Sequence, residues 1–160
     1  MTNWSAVERA APELAAAVQG RFEAYGLAIL ATLRHDGSPR VSGIEPLFAL
    51  GELWLGMMPR SRKSLDLQGD PRCALHSATT DKNVTDGDAR ISGRAVSVSN
   101  QADLDAFRGA FTAATGRQVP LLGDLYRVDV TELSMIRPTG DHLVIEFWKE
   151  GGEPQRIERR

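Results

Sequence analysis

Apolar positions along this chain change period twice, and each change marks a new kind of element. Leu14, Val18, Phe22 and Tyr25 recur at helical spacing behind Pro12, a residue that the first turn of a helix tolerates, and predict an amphipathic helix over 12–25. The period then drops to two. In "LAILATLR", Leu27, Ile29, Ala31 and Leu33 alternate with Ala28, Leu30 and Thr32, so the spacing predicts a strand with both faces buried. A turn at Asp36 and Gly37 leads into "RVSGIEPLFAL", read as one second strand carrying a bulge or an unpaired edge position at Pro46. A tight turn at Gly51 and Glu52 leads to "LWLGMM", which completes a three-stranded meander.

Past residue 60 the pattern continues with a short helix after "MPRSRK", a strand "CALHSA", a polar loop over 79–88 and a strand "ARISGRAVSV". Ser99 or Asn100 is placed to cap a second long helix with Leu104, Phe107, Phe111 and Ala114 on one face, and Gly116 is placed to end it. "DLYRVDVTELSMIR" and "DHLVIEFW" add two alternating strands before a charged tail, "KEGGEPQRIERR". Six or seven short strands joined mostly by tight turns predict a mainly β, antiparallel barrel with flanking helices.

Length and composition narrow the picture without changing it. With 160 residues, 42% hydrophobic and 25% charged, the expectation is a single domain over 1–160 whose first 25 residues form a helical extension. The formal net charge of -2 offers no global attraction to nucleic acid or to an acidic membrane, so any anion site must be local. Cys73 is the only cysteine, which excludes an internal disulfide and a cysteine metal cage. The three histidines, His35, His76 and His142, share no metal-binding spacing, and no metal is expected. No stretch has membrane-spanning length and no secretory leader is recognisable at the N-terminus, so the expected location is cytoplasmic.

Local charge concentrates in one place. Arg60, Arg62 and Lys63 lie within four positions at the start of the short helix, and Ser61 is its predicted N-cap. A helix start offers unpaired N–H groups and the positive end of its dipole, so cations added there suit a phosphate. A solvated charge run is the alternative. Arg40 and Ser42 share a face of the second strand, and Arg90, Ser92 and Arg94 share one of the fifth. Neither a G-x-G-x-x-G nor a P-loop pattern occurs, nor a G-x-S-x-G elbow. Catalysis would therefore rest on a bound cofactor.

The order "LAILATLRHDGSPRVS", "GELWLGMM", "PRSRKSLDLQGDPRCALH", "ISGRAVSV" and "DHLVIEFW" resembles the flavin-binding split-barrel proteins related to pyridoxamine 5'-phosphate oxidase, over roughly residues 24–149. The resemblance implies a six-stranded split barrel working as a homodimer, with FMN in grooves along the subunit interface. A deazaflavin coenzyme of the 8-hydroxy-5-deazaflavin type is the alternative cofactor, and related branches use haem or none. By position it implies that Ser61, Arg62 and Lys63 grip the cofactor phosphate and that Arg40, Val41 and Ser42 run beside the ring. Met57 and Met58 would floor the ring or fill core, and Trp148 would wall the partner's site or pack internally.

The implied activity is hydride transfer to or from a small organic substrate, without nucleic-acid or membrane partners. A deazaflavin-dependent reductase and a non-enzymatic flavin-sequestering protein are the alternatives. The C-terminal Arg and His pair of true pyridoxamine-phosphate oxidases is not recognisable in the tail, which argues against that particular activity.

Overall fold

The computed structural model describes residues 1–119 and 123–160. Its elements run α1 Trp4–Ala10, α2 Pro12–Glu23, β1 Ala28–Leu33, β2 Pro39–Ile44, β3 Pro46–Ala49, β4 Glu52–Met57, α3 Arg62–Gly69, β5 Arg72–Ser77, β6 Asp88–Val98, α4 Gln101–Thr115, β7 Asp124–Thr139, β8 His142–Lys149 and β9 Gln155–Arg159. Local chemistry sets the helix ends. Asn3, Ser61 and Asn100 cap α1, α3 and α4 through side-chain oxygens, and Gly116 closes α4 in the left-handed conformation at φ 68°. The β3–β4 hairpin turns through Leu50 and Gly51, both at positive φ.

All the strands belong to one antiparallel sheet, ordered β2-β1-β5-β6-β7-β4-β3, with β8 branching from β7 and β9 from β8. This is the mainly β architecture that the alternating pattern predicts, with three differences. The expected second strand is two strands: β2 pairs with β1 and β3 with β4, so the chain changes partner at Glu45 and Pro46 instead of forming a meander. Proline has no N–H to give a ladder, and here it opens the new strand instead of bulging the old one.

The second difference concerns β1. Leu30 and Thr32 are buried, but Leu27 and Ile29 are 53% and 45% exposed, and Val41 on β2 is 71% exposed. One face of this strand is therefore an uncovered apolar surface, which period-two spacing alone does not distinguish from a buried one. Thirdly, the charged tail holds β9, paired with β8 from Leu143–Arg159 to Phe147–Gln155.

Leu30, Leu53, Leu55, Leu75, Ile91, Val128, Val130 and Leu133 fill the core. The N-terminal helices close one side of it, with Trp4 set edge-on to Phe48 at 4.6 Å between ring centres and Phe22 at 6.0 Å from the same ring. Buried Arg21 donates to the carbonyls of Gly87 and Ala78 at 2.9 and 3.2 Å, clamping both ends of the 79–88 loop.

Candidate functional site

Two clefts flank the first turn of α3, and the site grows out of how that turn is made. Ser61 has extended backbone angles, and its Oγ accepts the N–H of Ser64 at 3.4 Å. Before it, Arg60 adopts a left-handed conformation at φ 54°. A side chain there strains the backbone, so Arg60→Gly is expected to stabilise the fold by about 1 kcal/mol, read as a raised midpoint in thermal unfolding. An unchanged or lowered midpoint would show that the arginine side chain offsets its own strain.

The first cleft, about 390 Å³, lies between the β2–β3 switch, the end of β4 and α4. Ile44, Leu47, Met57, Met58, Phe107 and Phe111 make it largely apolar, while Lys63, Glu45 and Asp124 are its charged members. Lys63 Nζ donates to the Gly43 carbonyl at 2.6 Å. Burial pushes this ammonium below the ordinary lysine range, and the charge of Glu45 opposes the shift only in part. Among the described residues no carboxylate lies within ion-pair distance of it.

The second cleft, about 810 Å³, lies between the β1–β2 turn and α3, lined by Arg34, His35, Arg40 and Arg62 together with Asp36, Asp66 and Asp70. Its acids are already engaged. Asp36 accepts from Ser38, and Asp70 from Arg72, whose bonds hold its carboxyl down at about 2. Buried Asp66 accepts from Thr32 Oγ1 at 2.7 Å and Arg40 Nε at 2.6 Å. Burial alone would raise the Asp66 carboxyl, but these bonds and the neighbouring arginine charges outweigh it and hold it below the usual range. Arg34 and Arg62 have no carboxylate within ion-pair distance among the described residues, while in formal charge the three arginines of the lining are matched by its three aspartates.

Each residue expected at the site can now be placed. Ser61 starts the helix; Met57, Met58 and Lys63 line the apolar cleft, and Arg40 and Arg62 line the larger one. Consecutive residues Arg62 and Lys63, about 100° apart on one helical turn, thus line different clefts. Val41 points to solvent and Ser42 is half-buried opposite Leu30, and it is the next three residues, Gly43, Ile44 and Glu45, that reach the cleft. Trp148 is 2% exposed in the core of its own chain, so it offers no surface to a neighbour's site. Arg90 donates to Ser134 at 3.1 Å, away from both clefts.

Several participants had no sequence signal. Asp124 Oδ2 accepts the Arg60 N–H at 3.1 Å and the Ser64 hydroxyl at 2.5 Å, and the Tyr126 hydroxyl lies 2.9 Å from the same serine oxygen. A carboxylate therefore already takes one of the donors expected to be free for a ligand. Phe107 and Phe111 come from α4, which is seated by Phe107 against Trp54 at 5.6 Å and by Arg127, which reaches Asp103 at 3.3 Å and Glu52 at 3.6 Å. Gly123 sits so close to Met57 and Pro59 that a Cβ would overlap their backbone. Gly123→Ala is therefore expected to displace the β4–α3 loop and cost about 2 kcal/mol in urea unfolding, with no cost if the loop yields freely.

An apolar slot beside a helix start, with unpaired cations on both sides of that start, fits a cofactor having a flat ring and an anionic end. Among the described residues no helix is long and apolar enough to cross a membrane, and no cluster of acids, histidines or cysteines suits a metal ion.

Comparison with known proteins agrees with this geometry. The pyridoxamine 5'-phosphate oxidase family profile matches residues 14–137. A pyridoxamine 5'-phosphate oxidase-related, FMN-binding protein from Nostoc punctiforme superposes with a TM-score of 0.63 at 15% identity, covering 94% of this chain and 96% of its own. A putative pyridoxamine 5'-phosphate oxidase from Listeria innocua gives 0.59 at 11% identity, over 74% and 94% of the two chains. A haem-binding protein from Mycobacterium smegmatis gives 0.59 at 21% identity, over 84% of this chain and 57% of its own. Among curated proteins no relative matches. The profile spans most of the sequence and the fold agrees from end to end: this chain belongs to the pyridoxamine 5'-phosphate oxidase family.

Proposed function

We propose that the protein is an FMN-dependent oxidoreductase acting on a small organic substrate. The observation that carries this reading is Lys63, a half-buried ammonium without a carboxylate partner among the described residues, at the edge of an apolar cleft. In the proposed arrangement the ring lies in that cleft against Ile44, Met57 and Phe107, and the phosphate sits over the helix start at Ser61, reached by Lys63 from this cleft and by Arg62 from the adjoining one. When bound, FMN supplies two-electron transfer chemistry. The chain's own contribution is to orient the ring, exclude water with the α4 phenylalanines and fix the phosphate end.

The uncovered face bearing Leu27, Ile29 and Val41 supports a homodimer, because apolar side chains this exposed on one face commonly mark an interface. The FMN-binding structural neighbour supports the flavin, and the one that binds haem is the reason to test it directly.

A second reading is favoured by the size of the 810 Å³ cleft, which exceeds what one phosphate needs, and by its two arginines without a carboxylate partner among the described residues: a deazaflavin coenzyme with a longer anionic tail reaching Arg34 and Arg62. Titrating the purified protein with FMN, riboflavin and a deazaflavin coenzyme, followed by flavin fluorescence, tests both. Preferential FMN binding supports the first reading, binding of the deazaflavin alone the second, and binding of none removes both.

A further inference from the structure

Strand β9 closes nothing. It is the last strand of the sheet's β7–β8–β9 branch, all five residues are exposed, and among the described residues its outer edge pairs with no strand. An unpaired edge offers N–H and C=O groups to another strand, and one as short and charged as this accepts only a strand of complementary charge. We propose that it pairs antiparallel with β9 of a second copy of this chain, about a two-fold axis at Ile157.

The sequence of the strand, Gln155-Arg156-Ile157-Glu158-Arg159, specifies the partner. Turned about Ile157, it sets Arg156 opposite the second copy's Glu158, Gln155 opposite its Arg159 and Ile157 opposite itself, so no like charges face each other. A two-fold contact needs this self-complementarity.

The existing ladders extend the match inward. Ile136 pairs with Ile145 and Ile145 with Ile157, so the rotation continues one row of isoleucines through both copies. On the other face, Glu146 lies opposite Arg156, which in turn would face the second copy's Glu158, giving alternating charge. Ile157, 41% exposed, loses water contact against its counterpart in the second copy. Five residues fall short of the roughly 1,200–2,000 Å² of a standard stable interface, so the association is weak and concentration-dependent. It leaves the Ile29–Val41 face free, and it does not depend on the flavin reading.

Cysteine crosslinking tests the register. The native Cys73 is buried and its thiol is pushed up to about 12 by burial, so it stays silent. Across an antiparallel pair, opposed Cβ atoms lie about 4.5–5.5 Å apart, and a shift of about 1 Å brings them within the span of a disulfide. At high protein concentration and under mild oxidation, Ile157→Cys should form a covalent dimer. Gln155→Cys and Arg159→Cys should each fail alone but crosslink when mixed. Absence of an Ile157→Cys dimer, or equal crosslinking by each variant alone, overturns the proposal. In sedimentation, Arg156→Glu should lower association at least several-fold and Arg156→Glu/Glu158→Arg should restore it, with folding of each variant checked by thermal melts. Association that ignores the charge reversal also overturns it.

Discussion

Lys63→Ala is expected to weaken FMN binding roughly thirty-fold, while riboflavin, which lacks the phosphate, changes little. The magnitude follows from losing one charge-assisted hydrogen bond of about 2 kcal/mol in a site whose remaining cations at the helix start, Arg60 and Arg62, are exposed to solvent. Fluorescence titration of both ligands against wild type and variant separates the two contributions. The sign with pH is also fixed. Lys63 is held below the ordinary lysine range, so its charge disappears earlier in the alkaline limb than an exposed lysine's would. FMN affinity should fall across that limb in the wild type and stay flat in the variant. Equal affinities in wild type and variant would remove Lys63 from the phosphate site.

Asp66→Ala is expected to be the most destabilising single change near the clefts, at about 3 kcal/mol in urea unfolding at pH 7. Thr32 and Arg40 both donate to this one buried carboxylate, and its removal leaves a buried hydroxyl and a partly buried guanidinium without their acceptor. The pH dependence follows from the direction of the shift. A carboxyl held lower in the folded than in the unfolded chain stabilises the fold above its unfolded value, near pH 4, and that contribution is lost as pH falls through the folded value. The wild type should therefore lose stability between about pH 5 and pH 2 more steeply than the variant. Parallel acid limbs would show that the Arg40–Asp66 pair contributes little. Because Arg40 also lines the larger cleft, the same substitution frees a guanidinium for a ligand anion, and FMN affinity in the surviving folded protein should not decrease.

How much of this was legible in the sequence depends on whether the information was local. The α3 cap was readable at Ser61 because a capping serine followed by a helical segment is a short-range signal, and so was the αL stop at Gly116. The split of the second strand was not, since Pro46 is compatible with both a bulge and a partner change, and only the competition between β1 and β4 for that stretch decides it. Exposure of Ile29 was hidden for a related reason: alternation reports two faces, not which of them the rest of the chain covers.

At the site, Lys63 and Arg62 were findable from spacing, but their division between two clefts follows from helical rotation at one turn. Asp124 was invisible because it reaches the start of α3 from 60 residues further along the chain. The pairing of Arg40 with Asp66 spans 26 residues and joins a strand to a helix, so no pattern within either element announces it.

The partner change at Glu45 and Pro46 has a consequence for how this architecture can diversify. β2 and β3 occupy opposite ends of the main strand path, and the short link between them crosses the gap that borders the apolar cleft. That link is Glu45 alone, and lengthening it by a residue is expected to widen the slot while every cross-strand ladder keeps its registration. Ligand size is thus adjustable at a single peptide, separately from the framework that carries it.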